Sequence, residues 1–266
     1  MSSSSQQGRP LAGKVALVTG AGRGLGRGIA VELGQRGASV VVNYNSAEAR
    51  AKEVVAEIEK AGSSAVAIKA DVSKVPEIKQ LFQQTIKKFG KIDIVVSNSG
   101  TEMFKPEDKV TEEDYDRVFN LNTRAQFFVA QQAYVHLEKG GRIILMSSVA
   151  ATMAGISDHA LYAGSKAAIG GFARSFAVDC GHKQITVNAI APGGVKTDMY
   201  DDNAWRYWPG ASASSSMDEI DQKVANSSPL KRLAVSQDIA RVVAFLSSPD
   251  SEWVNGQVLL CTGGSY

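Results

Sequence analysis

Lys14–Gly26 reads KVALVTGAGRGLG, an apolar, β-branched run that stops abruptly in a cluster of glycines. A strand that is apolar at nearly every position has both faces covered, as in a parallel sheet sandwiched between helices. The glycines allow a sharp turn, and the amphipathic stretch Gly24–Arg36 then reads as a helix. The segment is therefore strand, tight turn, helix.

The unit recurs. Further strands are expected at Ser39–Asn43, Ala65–Ala70, Ile92–Val96, Arg142–Ser147, Ile185–Ile190 and Gln257–Leu260, and with Lys14–Thr19 they make seven. Helices are expected between them at Ala47–Ala61, Val75–Phe89, Thr111–Glu138, Ala160–His182 and Gln237–Leu246. Such alternation with right-handed crossovers predicts a Rossmann-type α/β fold: a doubly wound seven-stranded parallel sheet with helices on both faces. Its ligand crevice lies at the carboxyl ends of the strands. Only Pro192–Pro229 escapes the pattern, and about 35 irregular residues in a compact domain mark a functional loop; it reads as a substrate lid over about 194–229. Residues 1–10, MSSSSQQGRP, have no apolar h-region and read as a disordered lead, leaving 11–266 as a single domain.

The 266 residues are 44% hydrophobic and 21% charged, enough for a full core. With 29 Lys+Arg against 27 Asp+Glu no basic face is in view, so no nucleic-acid partner is expected. Two cysteines, Cys180 and Cys261, without CxxC or His/Cys spacing argue against a disulfide framework or a metal and for a reduced, cytoplasmic setting. No apolar stretch approaches the roughly 20 residues that span a bilayer, so no membrane is expected.

The turn at Gly20, Arg23, Gly24, Leu25 and Gly26 presents backbone N–H groups at a helix N-terminus, as a dinucleotide phosphate requires. The second strand ends Asn43-Tyr44-Asn45-Ser46 with no acid. A carboxylate there would bind both ribose hydroxyls and repel a 2′-phosphate, whereas neutral donors and the planar Arg23 guanidinium accept one, so the cofactor is expected to be NADP(H). Asp71-Val72 can reach an adenine edge, or Asp71 can cap the helix that follows. Asn98-Ser99-Gly100 closes the fourth strand, where Gly100 lets the backbone approach the cofactor.

Tyr162-Ala163-Gly164-Ser165-Lys166 sets a phenol and an ammonium four residues apart, on one helix face. Ser147-Ser148 closes the fifth strand at the same carboxyl edge, and Asn122 stands among Phe119, Leu121, Phe127 and Phe128, where an amide needs partners. Hydride arriving at a carbonyl leaves an alkoxide that must be protonated. A tyrosine of ordinary pKa, about 10, can do this, and a nearby cation makes it a better base for the reverse step. Ser148 supplies a hydrogen bond where the negative charge develops.

TGAGRGLG, SNSG, Asn122, Ser148, YAGSK and Pro192-Gly193 together resemble, in order and spacing, the short-chain dehydrogenase/reductase family over residues 11–264. Within it, GAGRGLGRGIA, VVNYNS and the lid are similar to the fungal carbonyl reductases of trihydroxynaphthalene, versicolorin and 17β-hydroxysteroids. The family's Asn-Asn-Ala-Gly is Ser97-Asn98-Ser99-Gly100 here. The resemblance implies hydride transfer between NADP(H) and a ketone or alcohol on a flat polycycle: a steroid, naphthol or quinone. Tyr162 would donate or accept the proton, and Ser148 would hold the substrate oxygen. Lys166 would bind the nicotinamide ribose and lower the Tyr162 pKa, while Asn122 would hold a relay water. Pro192-Gly193-Gly194 would fold over the nicotinamide, with Val195 and Thr197 on its carboxamide. Gly194, Tyr200 and Tyr207 would line the substrate, and the assembly would be a homotetramer or dimer. The residues leave the aromatic cluster Tyr200, Trp205, Tyr207 and Trp208 two roles, packing the lid or facing a flat ligand, and leave His159, three residues before Tyr162, either lining the same pocket or solvated in its loop. Two other functions stay open: a 3-oxoacyl carrier-protein reductase with the same catalytic residues, and a non-catalytic dinucleotide sensor.

Overall fold

Successive side chains of a strand point to opposite faces, and β1 (Val15–Val18) divides its residues accordingly. In the computed structural model, which describes residues 9–154 and 156–265, Ala16 and Val18 enter one apolar layer and Leu17 the other. The first layer is closed by α1 (Gly24–Gln35), α2 (Glu48–Lys60) and α9 (Ser236–Ser247). The second is closed by α3 (Val75–Phe89), α5 (Ala125–His136) and α6 (Ala160–Asp179). Each fully buried Val, Leu or Ile contributes on the order of 1.5–3 kcal/mol.

Between the layers lie β2 (Ser39–Tyr44), β3 (Ala65–Lys69), β4 (Ile94–Ser97), β5 (Arg142–Met146), β6 (Thr186–Pro192) and β9 (Val258–Cys261). The seven strands are parallel in the order β3-β2-β1-β4-β5-β6-β9. Val18 registers with Val42 and Val96, and Met146 with Ile190, so the carboxyl ends of the central strands are level and their loops converge.

The structure departs from the sequence pattern in two places. The expected helix Thr111–Glu138 is three pieces: α4 (Glu112–Phe119), a π-helical turn at Asn120–Arg124, and α5. The lid is not irregular. It carries β7 (Val195–Lys196) paired with β8 (Ala234–Val235), then α7 (Asp198–Asn203) and α8 (Met217–Ser227). Met217, Ile220 and Val224 recur at helical spacing on α8, a signal masked by the run Ser212–Ser216 before it. Of the expected disordered lead, residues 1–8 lie outside the described residues, while Arg9 Nη1 donates to Gly62 O at 3.0 Å.

Candidate active site

The glycine turn is held shut by amides. Thr19 Oγ1 accepts from the N–H of Asn98 (2.9 Å) and of Ser99 (3.1 Å), and Asn98 Nδ2 donates to Thr19 O at 3.0 Å. Asn43 Oδ1 accepts from Gly20 N at 3.2 Å while its Nδ2 donates to Ala70 O at 3.1 Å. A Cβ on Gly26 would lie 2.2 Å from Gly20 O, so only glycine fits. Asn43 and Asn98, expected from sequence at the cofactor, both line the cleft, and their amides also brace the turn. No side chain caps α1 and its first turn holds no acid. Its leading N–H groups are thus left for an anion.

Two of the expected cofactor contacts carry additional partners. Asp71 Oδ1 accepts from Ser73 N (3.0 Å) and Ser73 Oγ (2.7 Å), so it forms the turn that leads into α3 as well as facing the cleft. Burial alone would raise its pKa, but these bonds and Lys74 prevail and hold it below the ordinary value. Arg23 Nη1 lies 3.5 Å from Asp198 Oδ2, and Arg50 Nη1 lies 3.0 Å from the same oxygen. The strand end has no acid, as expected, yet the lid supplies one. Arg23 is one of two guanidiniums around it, not a lone cation, and the three side chains are 67%, 52% and 49% exposed.

Deeper in the cleft, the π turn swings Asn122 under the sheet edge. Its Nδ2 donates to Thr101 O (2.8 Å) and Ser165 Oγ (3.0 Å), and its Oδ1 accepts from Thr101 N (2.8 Å). Gln126 holds the break open, donating to both Asn122 O (2.9 Å) and Met146 O (2.8 Å) and accepting from Met146 N (2.8 Å). Inserted side chains of this kind stabilise π turns, which gather at functional sites. Lys166 Nζ donates to Met146 O at 3.0 Å, and Ser147 Oγ donates to Lys166 O at 2.9 Å. An ammonium has three donors, and the other two make no bond among the described residues. Burial pulls the Lys166 pKa down to about 8, against an opposing pull from the Glu102 carboxylate.

Tyr162, 7% exposed, sits where this network meets the lid. Burial first, and the Glu102 charge second, push its phenol well above the ordinary tyrosine range, with the Ser148 hydrogen bond working the other way. Lys166 Nζ is 5.8 Å from the ring centroid. The net shift is upward, set by burial and by Glu102, and Lys166 is not among its causes. Tyr162 is kept a phenol.

That acid belongs to a second cluster. Tyr207 donates to Glu102 Oε1, and His159 Nε2 lies 3.4 Å from both Glu102 Oε1 and the Tyr207 hydroxyl. His159 is 3% exposed, not solvated, because it is stacked between Phe104 (4.2 Å between centroids, 4° between planes) and Tyr162 (4.8 Å, 19°). Tyr207 meets Phe104 edge-on at 5.3 Å. The four lid aromatics divide: Tyr200, Trp205 and Trp208 pack the lid, with Tyr200 Oη donating to Asp221 at 3.0 Å, while Tyr207 turns to the site. An acid two residues beyond Gly100, at the carboxyl edge of β4, and a His three residues before Tyr162 were the available signals for this cluster.

The phosphate turn, the ends of β2 to β6, Tyr162, Lys166 and the lid enclose one cleft of about 1020 Å³. Every cofactor and substrate residue expected from sequence lines it, and Asn122 is buried behind its wall. Among the described residues there is no cluster able to hold a metal ion and no helix long and apolar enough to cross a membrane.

A family model described as enoyl-(acyl carrier protein) reductase matches residues 20–265. The chain is 74% identical over 265 residues to a hydroxynaphthalene reductase-like protein of Metarhizium guizhouense, covering 100% of this chain and 99% of the relative. It is 57% identical over 261 residues to a tetrahydroxynaphthalene reductase of Pestalotiopsis fici, covering 98% and 94%. Its fold superposes with a TM-score of 0.86 on a short-chain dehydrogenase from Burkholderia cenocepacia in complex with NADP, at 35% identity over 96% of this chain and 99% of that one. With the glycine turn, the Tyr162–Lys166 helix face and the seven-stranded sheet in place, this chain belongs to the short-chain dehydrogenase/reductase family.

Proposed function

We propose that this protein is an NADPH-dependent reductase that delivers hydride to the carbonyl of a flat, hydroxylated polycycle of the hydroxynaphthalene class. The observation that carries the reading is Tyr162, a buried phenol held protonated in the cleft beside Lys166, the end of β5 and the lid. Relatives named as hydroxynaphthalene reductases and an NADP-bound neighbour support the substrate class and the cofactor.

The residues fit the dinucleotide. The α1 N-terminus is uncapped, which suits a diphosphate, and Arg23 lines the cleft beside Asn45 and Ser46, where it would meet a 2′-phosphate, with Arg50 beyond it across Asp198. Lys166 offers two N–H donors to ribose hydroxyls. When bound, the cofactor supplies the hydride. The chain's own work is to fix the carbonyl oxygen between Ser148 Oγ and Tyr162 Oη and to pass it the Tyr162 proton as the C–O bond gains charge. Because burial and Glu102 disfavour tyrosinate, Tyr162 carries its proton before hydride arrives, and the alkoxide that then forms is the stronger base that draws it off.

The proposal includes self-association as a homotetramer or dimer, supported by Val258 and Leu260 exposed on the edge strand β9 and by Phe127 exposed against Phe172 and Phe176. It also includes a cytoplasmic location, supported by the free thiols of Cys180 and Cys261.

The test is NADPH or NADH oxidation with a panel of hydroxynaphthalenes, an ortho-quinone, a 17-keto steroid, and acetoacetyl and enoyl thioesters. The highest kcat/KM is expected with hydroxynaphthalenes and NADPH. Preference for a thioester would replace this reading with the acyl-carrier one suggested by the family model's description. Preference for the steroid or for NADH would overturn the substrate or cofactor assignment, and NADPH binding without any turnover would make the protein a sensor.

A further inference from the structure

Glu102 is an acid on the wall of the cleft. Its side chain is 8% exposed, and it faces the cleft between Tyr162 and Tyr207. Removing a carboxylate from water is costly unless its lone pairs are met. Oε1 is met by the Tyr207 hydroxyl, with His159 Nε2 at 3.4 Å, whereas Oε2 accepts no hydrogen bond among the described residues. An ionised carboxylate can only accept, so its complement in the cleft must be a donor. The reacting carbonyl oxygen is an acceptor and already has Ser148 and Tyr162. A second group on the same ligand can supply that donor in place of water.

The mounting is rigid. Phe104, His159 and Tyr162 form one near-parallel stack, and Tyr207 closes it edge-on while holding the other carboxylate oxygen. This fixes the spacing between the proton donor Tyr162 and the acceptor Glu102. Resting on the reductase reading above, we infer that Glu102 is a specificity-determining residue whose Oε2 accepts a hydrogen bond from a ring hydroxyl of the substrate. The site thus selects hydroxylated aromatic ketones over otherwise identical ketones that lack the hydroxyl. A carboxylate oxygen that loses its water to the bound ligand discriminates strongly, because the analogue without the hydroxyl leaves it unpaired.

The test compares wild type and Glu102→Gln on 2-tetralone and on a series of its ring-hydroxylated forms, reading kcat/KM with NADPH, and checks NADPH binding by fluorescence. In the wild type the best hydroxylated form should exceed the parent by about 10- to 100-fold, as for a charge-assisted hydrogen bond. In Glu102→Gln that preference should collapse to a few-fold. The within-protein ratio cancels whatever the substitution does to proton transfer from Tyr162 on both substrates alike. An equal preference in both proteins, or none in the wild type, overturns the assignment. If the variant does not bind NADPH, the wild-type ratio alone decides. A wild type that reduces no tetralone but reduces a thioester overturns the reductase reading itself, an outcome distinct from equal turnover of the tetralones.

Discussion

Two buried polar clusters meet at Tyr162, and they are built on opposite plans. On the sheet side, Asn122, Gln126, Ser147, Ser165 and Lys166 sit on the π turn, on α5, at the end of β5 and on α6, and their side chains are tied to backbone groups or to one another. On the lid side, Glu102, His159 and Tyr207 come from three loops or short turns and leave one carboxylate oxygen facing the cleft. A network anchored in the core fixes geometry, so it suits the invariant part of the chemistry, the placing of one proton. A network on loops can be altered without unfolding the sheet, so it suits the choice of substrate.

The largest effect should come from breaking the junction itself. Tyr162→Phe leaves the His159 stack and both networks nearly in place but removes the proton. Turnover is expected to fall roughly 10³-fold or more, in the range of lost general acid catalysis, while NADPH binding persists. Single-turnover absorbance at saturating NADPH measures this, and near-wild-type reduction by the variant would show that the proton comes from elsewhere.

The contrast between the clusters also explains what was legible in the sequence. The sheet was legible because buried parallel strands are apolar runs, and the Tyr162–Lys166 pair because it is local, four residues on one helix. The fracture of Thr111–Glu138 was not, because apolar periodicity continues through it. What opens the helix is a side chain, Gln126, bonding to a carbonyl of β5 that is 20 residues away in sequence. The lid-side cluster was least legible of all: Tyr207 reaches Glu102 across 105 residues and His159 across 48. No periodicity carries such a contact, and a His in a loop is solvated unless something distant covers it, as Phe104 does here.

A smaller, graded effect should appear with pH. Burial disfavours the charged form of Lys166, so its pKa falls to about 8, and the ammonium is present below that value and lost above it. kcat/KM for NADPH, which reports the free enzyme, should therefore hold below about pH 8 and then decline by up to tenfold per pH unit. Tyr162, pushed the other way, stays a phenol throughout this window. Because the Glu102 charge props up Lys166, Glu102→Gln should move the decline to lower pH and so make the coupling between the two clusters visible. A profile that is flat through pH 8 would mean that the Lys166 charge is not what holds the ribose.

The smallest effect belongs to the lid's outer rim, where Asp198 at the start of α7 faces Arg23 and Arg50. Exposed ion pairs contribute about 0–1 kcal/mol each, so Asp198→Ala should barely change stability. Its sign on cofactor affinity is informative, however. If Asp198 competes with a 2′-phosphate for the two guanidiniums, its removal should lower KM for NADPH by about two- to fivefold at low salt. The difference should vanish near 0.5 M salt, where charges are screened within about 4 Å. If Asp198 instead acts mainly as the latch that brings the lid onto the glycine turn, KM should rise and the salt dependence should weaken. The direction of that one change tells whether the lid's outer edge belongs with the cofactor or with the substrate.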